Sequence, residues 1–168
     1  GIFRGCSNLV VNVDADEELL LNAGIHSANT TFAECNNLGG PTNVRLGPNA
    51  TYAGNMFRSC RYWDEDLSNL DMSNVTSCQS MFGYARHFNN GGSTGINNWD
   101  MGNVTSMHTM FQIASGFNQP IGDWDTSSVT QMYRMFYGDG LTISFNQPIG
   151  GWDVSNVTNM TNSFSFCK

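Results

Sequence analysis

Four of the five cysteines, Cys6, Cys35, Cys60 and Cys167, stand three residues after a phenylalanine. Equivalent residues on adjacent rungs of a repeat lie roughly 5 Å apart, within the Cα separations that a disulfide accepts. Cys35 can therefore bridge to Cys60, as Cys6 can to Cys35, and closing about 25 residues would contribute roughly 3 kcal/mol if unstrained. The competing arrangement is a ladder of buried free thiols. Cys78 shares the phase of Met107, Met132 and Met160 and reads as a free core thiol.

Two further columns carry chemistry. Asn29, Asn49, Asn74, Asn103, Asn156 and Asn159 are Asn-x-Ser/Thr acceptors, which in a secreted eukaryotic protein would set glycans along one edge. Asn and Thr are also the residues that turns and caps require. Asp71, Asp100, Asp125 and Asp153 recur once per unit, and carboxylates at rung spacing repel unless a hydrogen bond, a cation or a partner intervenes. Calcium is the cation such a column would take, although no unit supplies a dense oxygen set, and Asp followed by Ser or Asn is an ordinary turn signal. Thr76, Thr105, Thr130 and Thr158 form a column resembling an ice-binding row, with one threonine per unit. His26, His87 and His108 share no phase and read as surface or loop residues. No Ser-His-Asp order, phosphate loop or metal-hydrolase motif appears, so no catalytic residues are assigned and no enzymatic activity is expected.

These columns need elements to position them. Phe3, Phe32, Phe57, Phe82, Phe111, Phe136 and Phe164 are separated by 29, 25, 25, 29, 25 and 28 residues, a fixed period that points to a repeat architecture. The units Leu70-Asp-Met-Ser-Asn-Val-Thr, Trp99-Asp-Met-Gly-Asn-Val-Thr, Trp124-Asp-Thr-Ser-Ser-Val-Thr and Trp152-Asp-Val-Ser-Asn-Val-Thr are sister copies. Extra residues at 89–95 and 138–142 read as loop insertions. Val104, Met107, Met110 and Phe111 fall at helical spacing behind Asn103, which predicts a short helix, and 121–126 reads as a short strand. Stacked units would place Trp, Val, Met and Phe in continuous internal ladders. One domain over 1–168 is expected, with degenerate repeats at 1–56, including the acidic stretch 14–18, and regular ones at 57–168.

Phe3-Arg-Gly-Cys-Ser-Asn-Leu9 and Phe32-Ala-Glu-Cys-Asn-Asn-Leu38 resemble the Phe-x-x-Cys-x-x-Leu phase of BspA-like leucine-rich repeats, and Phe117-Asn-Gln-Pro-Ile-Gly-x-Trp-Asp resembles the related bacterial and protist surface-protein repeat. The resemblance implies a right-handed leucine-rich-repeat-like solenoid, a secreted or surface-attached setting, sometimes adhesion, and no conserved catalytic site.

Only 12% of residues are charged, with 14 acidic against 7 basic, while asparagine occurs 21 times, so the surface is polar mainly through amides and hydroxyls. A net charge of -7 argues against nucleic acid. No apolar run is long enough to span a membrane. The chain opens at Gly1 without a leader, as a processed protein or a piece of a longer one would. Its last unit breaks off at the phase where its first begins, so copies could stack head to tail, with Cys167 of one beside Cys6 of the next. The expected function is a non-enzymatic extracellular or cell-surface structural protein forming a filament or coat. The alternative is an adhesive module of a longer surface protein, capped by flanking repeats and meeting a host or matrix protein or glycan.

Overall fold

The computed structural model describes residues 3–9, 19–21, 27–38 and 44–167; the acidic stretch 14–18 and His26 lie outside them. The expected leucine-rich-repeat-like solenoid, with a strand and a helix in every unit, is not what the chain forms. No α-helix occurs among the described residues, and none of their helices is long and apolar enough to cross a membrane. The regular elements are β1 (Leu19–Leu21) and β2 (Val44–Leu46), paired in parallel, and two 3-10 helices at Asn90–Gly92 and Thr94–Asn98. Most of the remaining chain is turns and irregular backbone, and the expected strand at 121–126 is also absent.

Local hydrogen bonding explains the missing helix. In an α-helix every N–H returns to the carbonyl four residues back. Here the donors alternate. Met110, Gln112 and Ala114 donate to the carbonyls of Met107, Thr109 and Phe111, three residues back, at 3.0–3.1 Å. Between them, Met107, Thr109, Phe111 and Ile113 donate to Gln131, Tyr133, Met135 and Tyr137 of the next unit, each at 2.9 Å. Cys78, Ser80, Phe82 and Tyr84 make the same four bonds to Ser106, His108, Met110 and Gln112 at 2.7–2.9 Å. Isolated parallel bridges mark one edge of this arc, from Ser27 to Tyr52, Ser77, Ser106, Gln131 and Asn159. Consecutive β-turns place apolar residues three or four apart, as a helix does, so the spacing of Val104, Met107, Met110 and Phe111 fits both.

The alternation runs through left-handed backbone on either side of most of the phenylalanines, Gly138 after Phe136 being an exception. Thr30, Asn55, Ser80, Thr109, Arg134 and Asn162, two residues before it, have φ between 52° and 58°, while Glu34, Ser59, Tyr84, Ile113 and Phe166, two after it, have φ between 57° and 71°. Gly5 takes the second position after Phe3 at φ 75°. Such backbone costs a residue with a Cβ roughly 1 kcal/mol or more, which the packing of the arc must offset.

That packing is aromatic. Phe3, Phe32, Phe57, Phe82, Phe111, Phe136 and Phe164 form one column of near-parallel rings with centroids 5.3–5.7 Å apart. A second column, Trp63, Phe88, Phe117 and Phe145, lies against the first at 4.0–4.2 Å within each unit. Trp99, Trp124 and Trp152 make a third, with centroids 6.1 and 6.4 Å apart. Their indole N–H groups donate to the carbonyls of Leu67, Ile96 and Ile121 at 2.9–3.0 Å, which ties each return segment to the one before. The buried indole nitrogen of Trp63, in the second column, has no partner among the described residues.

We expect Phe111→Ala, which opens the ring column at its centre, to cost about 3–5 kcal/mol and to unfold the chain well below the wild-type midpoint in a urea melt. Ser59→Gly, at a left-handed position that glycine adopts freely, should leave that midpoint unchanged or raise it.

Candidate functional site

The side chains able to do chemistry lie in columns outside the aromatic core, and most already serve the stacking of one unit on the next. Thr76, Thr105, Thr130 and Thr158 each donate both the backbone N–H, at 2.8–2.9 Å, and the side-chain hydroxyl, at 3.0–3.2 Å, to one carbonyl of the preceding unit. Those carbonyls belong to Thr51, Thr76, Thr105 and Thr130, so the threonines staple themselves into a spine. The row that resembled an ice-binding face thus directs its hydroxyl protons inward along the stack.

The aspartates are spent locally. The carboxylate of Asp71 accepts from the N–H and hydroxyl of Ser73, that of Asp125 accepts from the same groups of Ser127, Asp153 accepts from Ser155 N–H, and Asp100 accepts from Gly102 N–H at 3.2 Å. Hydrogen bonds from Ser73, Ser127 and Ser155 hold the Asp71, Asp125 and Asp153 carboxyls below their ordinary value, the charge of Asp125 partly opposing this at Asp153. Calcium asks for six to eight oxygens. One carboxylate per unit, half engaged in its own turn, does not assemble that set, and no group of three acidic, histidine or cysteine ligands converges among the described residues.

The asparagines divide. Asn103 and Asn156 donate their side-chain amides to the carbonyls of Ser73 and Ser127 at 2.7 and 2.8 Å, so a glycan on that nitrogen would displace a bond between units. Asn29 accepts from Asn55, and Asn159 accepts from Thr161 N–H. Asn49 and Asn74 are both exposed.

Cys6, Cys35, Cys60, Cys78 and Cys167 are all free thiols. Cys35 donates to the carbonyl of Phe3 at 2.9 Å, and Cys60 to that of Phe32 at 3.0 Å, so the pair expected to bridge is held as two thiols, each bonded to the preceding unit. Burial raises the pKa of both, and pushes the enclosed Cys78 up to about 12. Cys6 is exposed and Cys167 half-buried, beside the two outermost rings of the phenylalanine column.

Two features had no counterpart in the sequence reading. Buried Asn90 holds the 89–95 insertion in place: its side-chain oxygen accepts from Leu67 N–H and its amide donates to the Ser93 carbonyl, both at 2.8 Å. The Asp64 carboxylate accepts from the N–H groups of Asn89 and Gly91 on either side. The second feature is a gathering of cations and rings on the bridged arc. Arg58 lies over Tyr84 at 5.0 Å, Arg134 over Tyr133 and Tyr137 at 5.0 and 4.6 Å, and Tyr62, 64% exposed, meets His87 edge-on. Burial and then the Arg134 charge hold His108, beside Tyr133, below the ordinary histidine value.

The family DUF285, described as a Mycoplasma protein of unknown function, matches residues 23–94 and, in a second match, 51–168. No curated protein and no solved structure matches the chain.

Two expectations follow. The lowered pKa of Asp71 contributes stability that is full above the ordinary aspartate range and is lost as pH falls through the lowered value; in acid melts Asp71→Asn should therefore be less stable than wild type at neutral pH and converge on it in strong acid. With a thiol reagent at mildly alkaline pH, Cys6 should react first and Cys60 and Cys78 only after unfolding; peptide mapping of the labelled sites checks the order.

Proposed function

The chain belongs to the DUF285 family, and we propose that it is a non-catalytic structural protein of the cell exterior that associates end to end with copies of itself. The exterior setting rests on the resemblance of its Phe117-Asn-Gln-Pro-Ile-Gly-x-Trp-Asp segment to bacterial and protist surface-protein repeats and on its amide- and hydroxyl-rich composition. The observation that carries self-association is the outer edge of the unit at 159–167.

In the unit before it, Met132, Arg134, Phe136 and Gly138 donate to the carbonyls of Asn159, Thr161, Ser163 and Ser165 at 2.7–3.0 Å. Met160, Asn162, Phe164 and Phe166 hold the same positions one unit later, and their N–H groups have no acceptor among the described residues. Around this row Val154, Met160, Phe164 and Phe166 are 45%, 38%, 37% and 52% exposed. Such a row of donors beside half-exposed core side chains fits one more unit of the same kind, supplied by a second copy or by further repeats of the same polypeptide. The unit at 3–9 offers complementary groups: its Phe3 and Gly5 donate inward, while Phe3 begins the ring column that Phe164 continues at the other side. A second copy seated there extends the column, and places Cys167 near the partner's first cysteine.

Sedimentation and negative-stain microscopy of the purified chain, with and without reductant, test this reading. Filaments or a concentration-dependent ladder of oligomers should form, be shortened by reductant and be abolished by Phe166→Asp. A single monomeric species in both redox states would overturn it and favour the adhesive alternative, in which neighbouring repeats of one polypeptide cover the same edge.

A further inference from the structure

The charges of this protein are sorted by arc. Between residues 52 and 158 there are four arginines, Arg58, Arg61, Arg86 and Arg134, and all lie on the arcs that carry the parallel bridges. Of the nine acidic residues in the same span, all but Asp139 lie on the return arcs at 64–76, 89–105, 118–130 and 143–158. The ion pair among the described residues is Arg4 with Glu34, outside this span. Among the described residues no arginine within it forms an ion pair, and Arg61 and Arg86, at one phase of successive units, are exposed with no hydrogen bond or ion pair to either guanidinium. Tyr62, beside Arg61, is 64% exposed.

The opposite row is equally uncompensated. Asp100, Asp125 and Asp153 lie on successive return arcs, exposed, each with one carboxylate oxygen committed to its own turn and the other without a hydrogen bond among the described residues. Both rows advance by one unit at a time, and the units repeat every 5.3–5.7 Å along the ring column. The two arginines and the carboxylate row share one pitch and stay in step over two successive units when two copies lie side by side; Ser115 and Gly140 hold the arginine phase in the next two units. An unrelated polyanion has no reason to share that pitch.

We propose that the bridged arc bearing Arg61, Tyr62 and Arg86 docks laterally on the Asp100–Asp125–Asp153 row of a second copy. Tyr62 supplies an aromatic anchor between the charges, the kind of residue on which interface energy concentrates. The contact joins two different faces, so it is heterologous and leaves each copy free to take another neighbour on its opposite side. It shares with the end-to-end reading only the identity of the partner. The two differ in physics: the lateral contact is electrostatic and screened by salt, whereas the edge contact is apolar and backbone hydrogen-bonded.

Sedimentation velocity of the full chain carrying Phe166→Asp, at low and at high salt, isolates the lateral contact. Oligomers that form at about 20 mM salt and dissolve at about 500 mM are expected, since the screening length falls several-fold over that range. Arg61→Glu with Arg86→Glu should weaken association about tenfold or more, and so should Asp125→Asn with Asp153→Asn, which keeps the acceptor oxygen that each turn needs. An Asp125→Lys, Asp153→Lys chain mixed with the Arg61→Glu, Arg86→Glu chain should associate where neither does alone. Association insensitive to salt, or equal in the charge variants, would overturn the proposal. So would a chain that stays monomeric at low salt yet is retained on immobilised heparin through Arg61 and Arg86, which would assign the arc to an external polyanion. Either result leaves the edge reading to its own test, because Phe166 is already replaced here.

Discussion

The division of backbone donors between the chain's own turn and the next unit is the constraint on which the rest depends. Alternate N–H groups of each arc close four-residue β-turns, and those between them cross to the neighbouring unit. No unit can therefore satisfy its backbone alone, and buried donors without partners are costly. The same division sets the pitch at which rings meet, so that hydrogen bonding and aromatic stacking enforce one spacing. Left-handed backbone at Thr109 and Ile113, unfavourable for β-branched residues, is the local cost of the pattern, and the buried ring of Phe111 between them offsets it.

Outside the core, the columns that invited chemical readings serve this same construction. The threonine spine doubles each backbone bond between units with a hydroxyl. Asn103 and Asn156 reach back to the preceding unit, and the aspartates close their own turns. A polar residue recurring at fixed phase is under two demands at once. In this protein the structural demand takes the amide nitrogen of Asn103 and the hydroxyl proton of Thr105, the very atoms that a glycan linkage or an ordered water layer would need.

What could be read in advance follows from how each feature marks the chain. A stacked ring must recur, so the phenylalanine column left a period that survives insertions of three or four residues. The turn role of Asp71 and Asp125 was legible because Asp-x-Ser is a local motif whose bond closes within three residues. Secondary structure was not legible, and the reason is geometric: apolar residues at 104, 107, 110 and 111 fit a helix face and a series of β-turns equally well. The signal that would have separated them is left-handed backbone, normally announced by glycine or asparagine, and here that position is held by Thr109, Ile113, Tyr84 and Glu34. The charged arc was illegible for another reason. Arg61 and Arg86 share a phase, but Arg58 and Arg134 fall at two others, so the four form no common column in sequence, and they share a surface only because the bridged arcs share one face.

Periodicity has a consequence for how such a molecule can recognise anything. A concave enzyme-like site gathers unlike groups at one point, whereas a stack converts each exposed residue type into a row with the pitch of its core. Binding by rows is weak per contact, since exposed charge pairs contribute little singly, and gains strength only from a partner that repeats at the same interval. A second stack of the same units meets that condition without further design. Arg61 and Arg86 on the bridged arcs and Asp100, Asp125 and Asp153 on the return arcs both recur at the unit interval. A chain built from one spacing thereby sets the interval at which any partner, a second copy or another molecule, has to repeat.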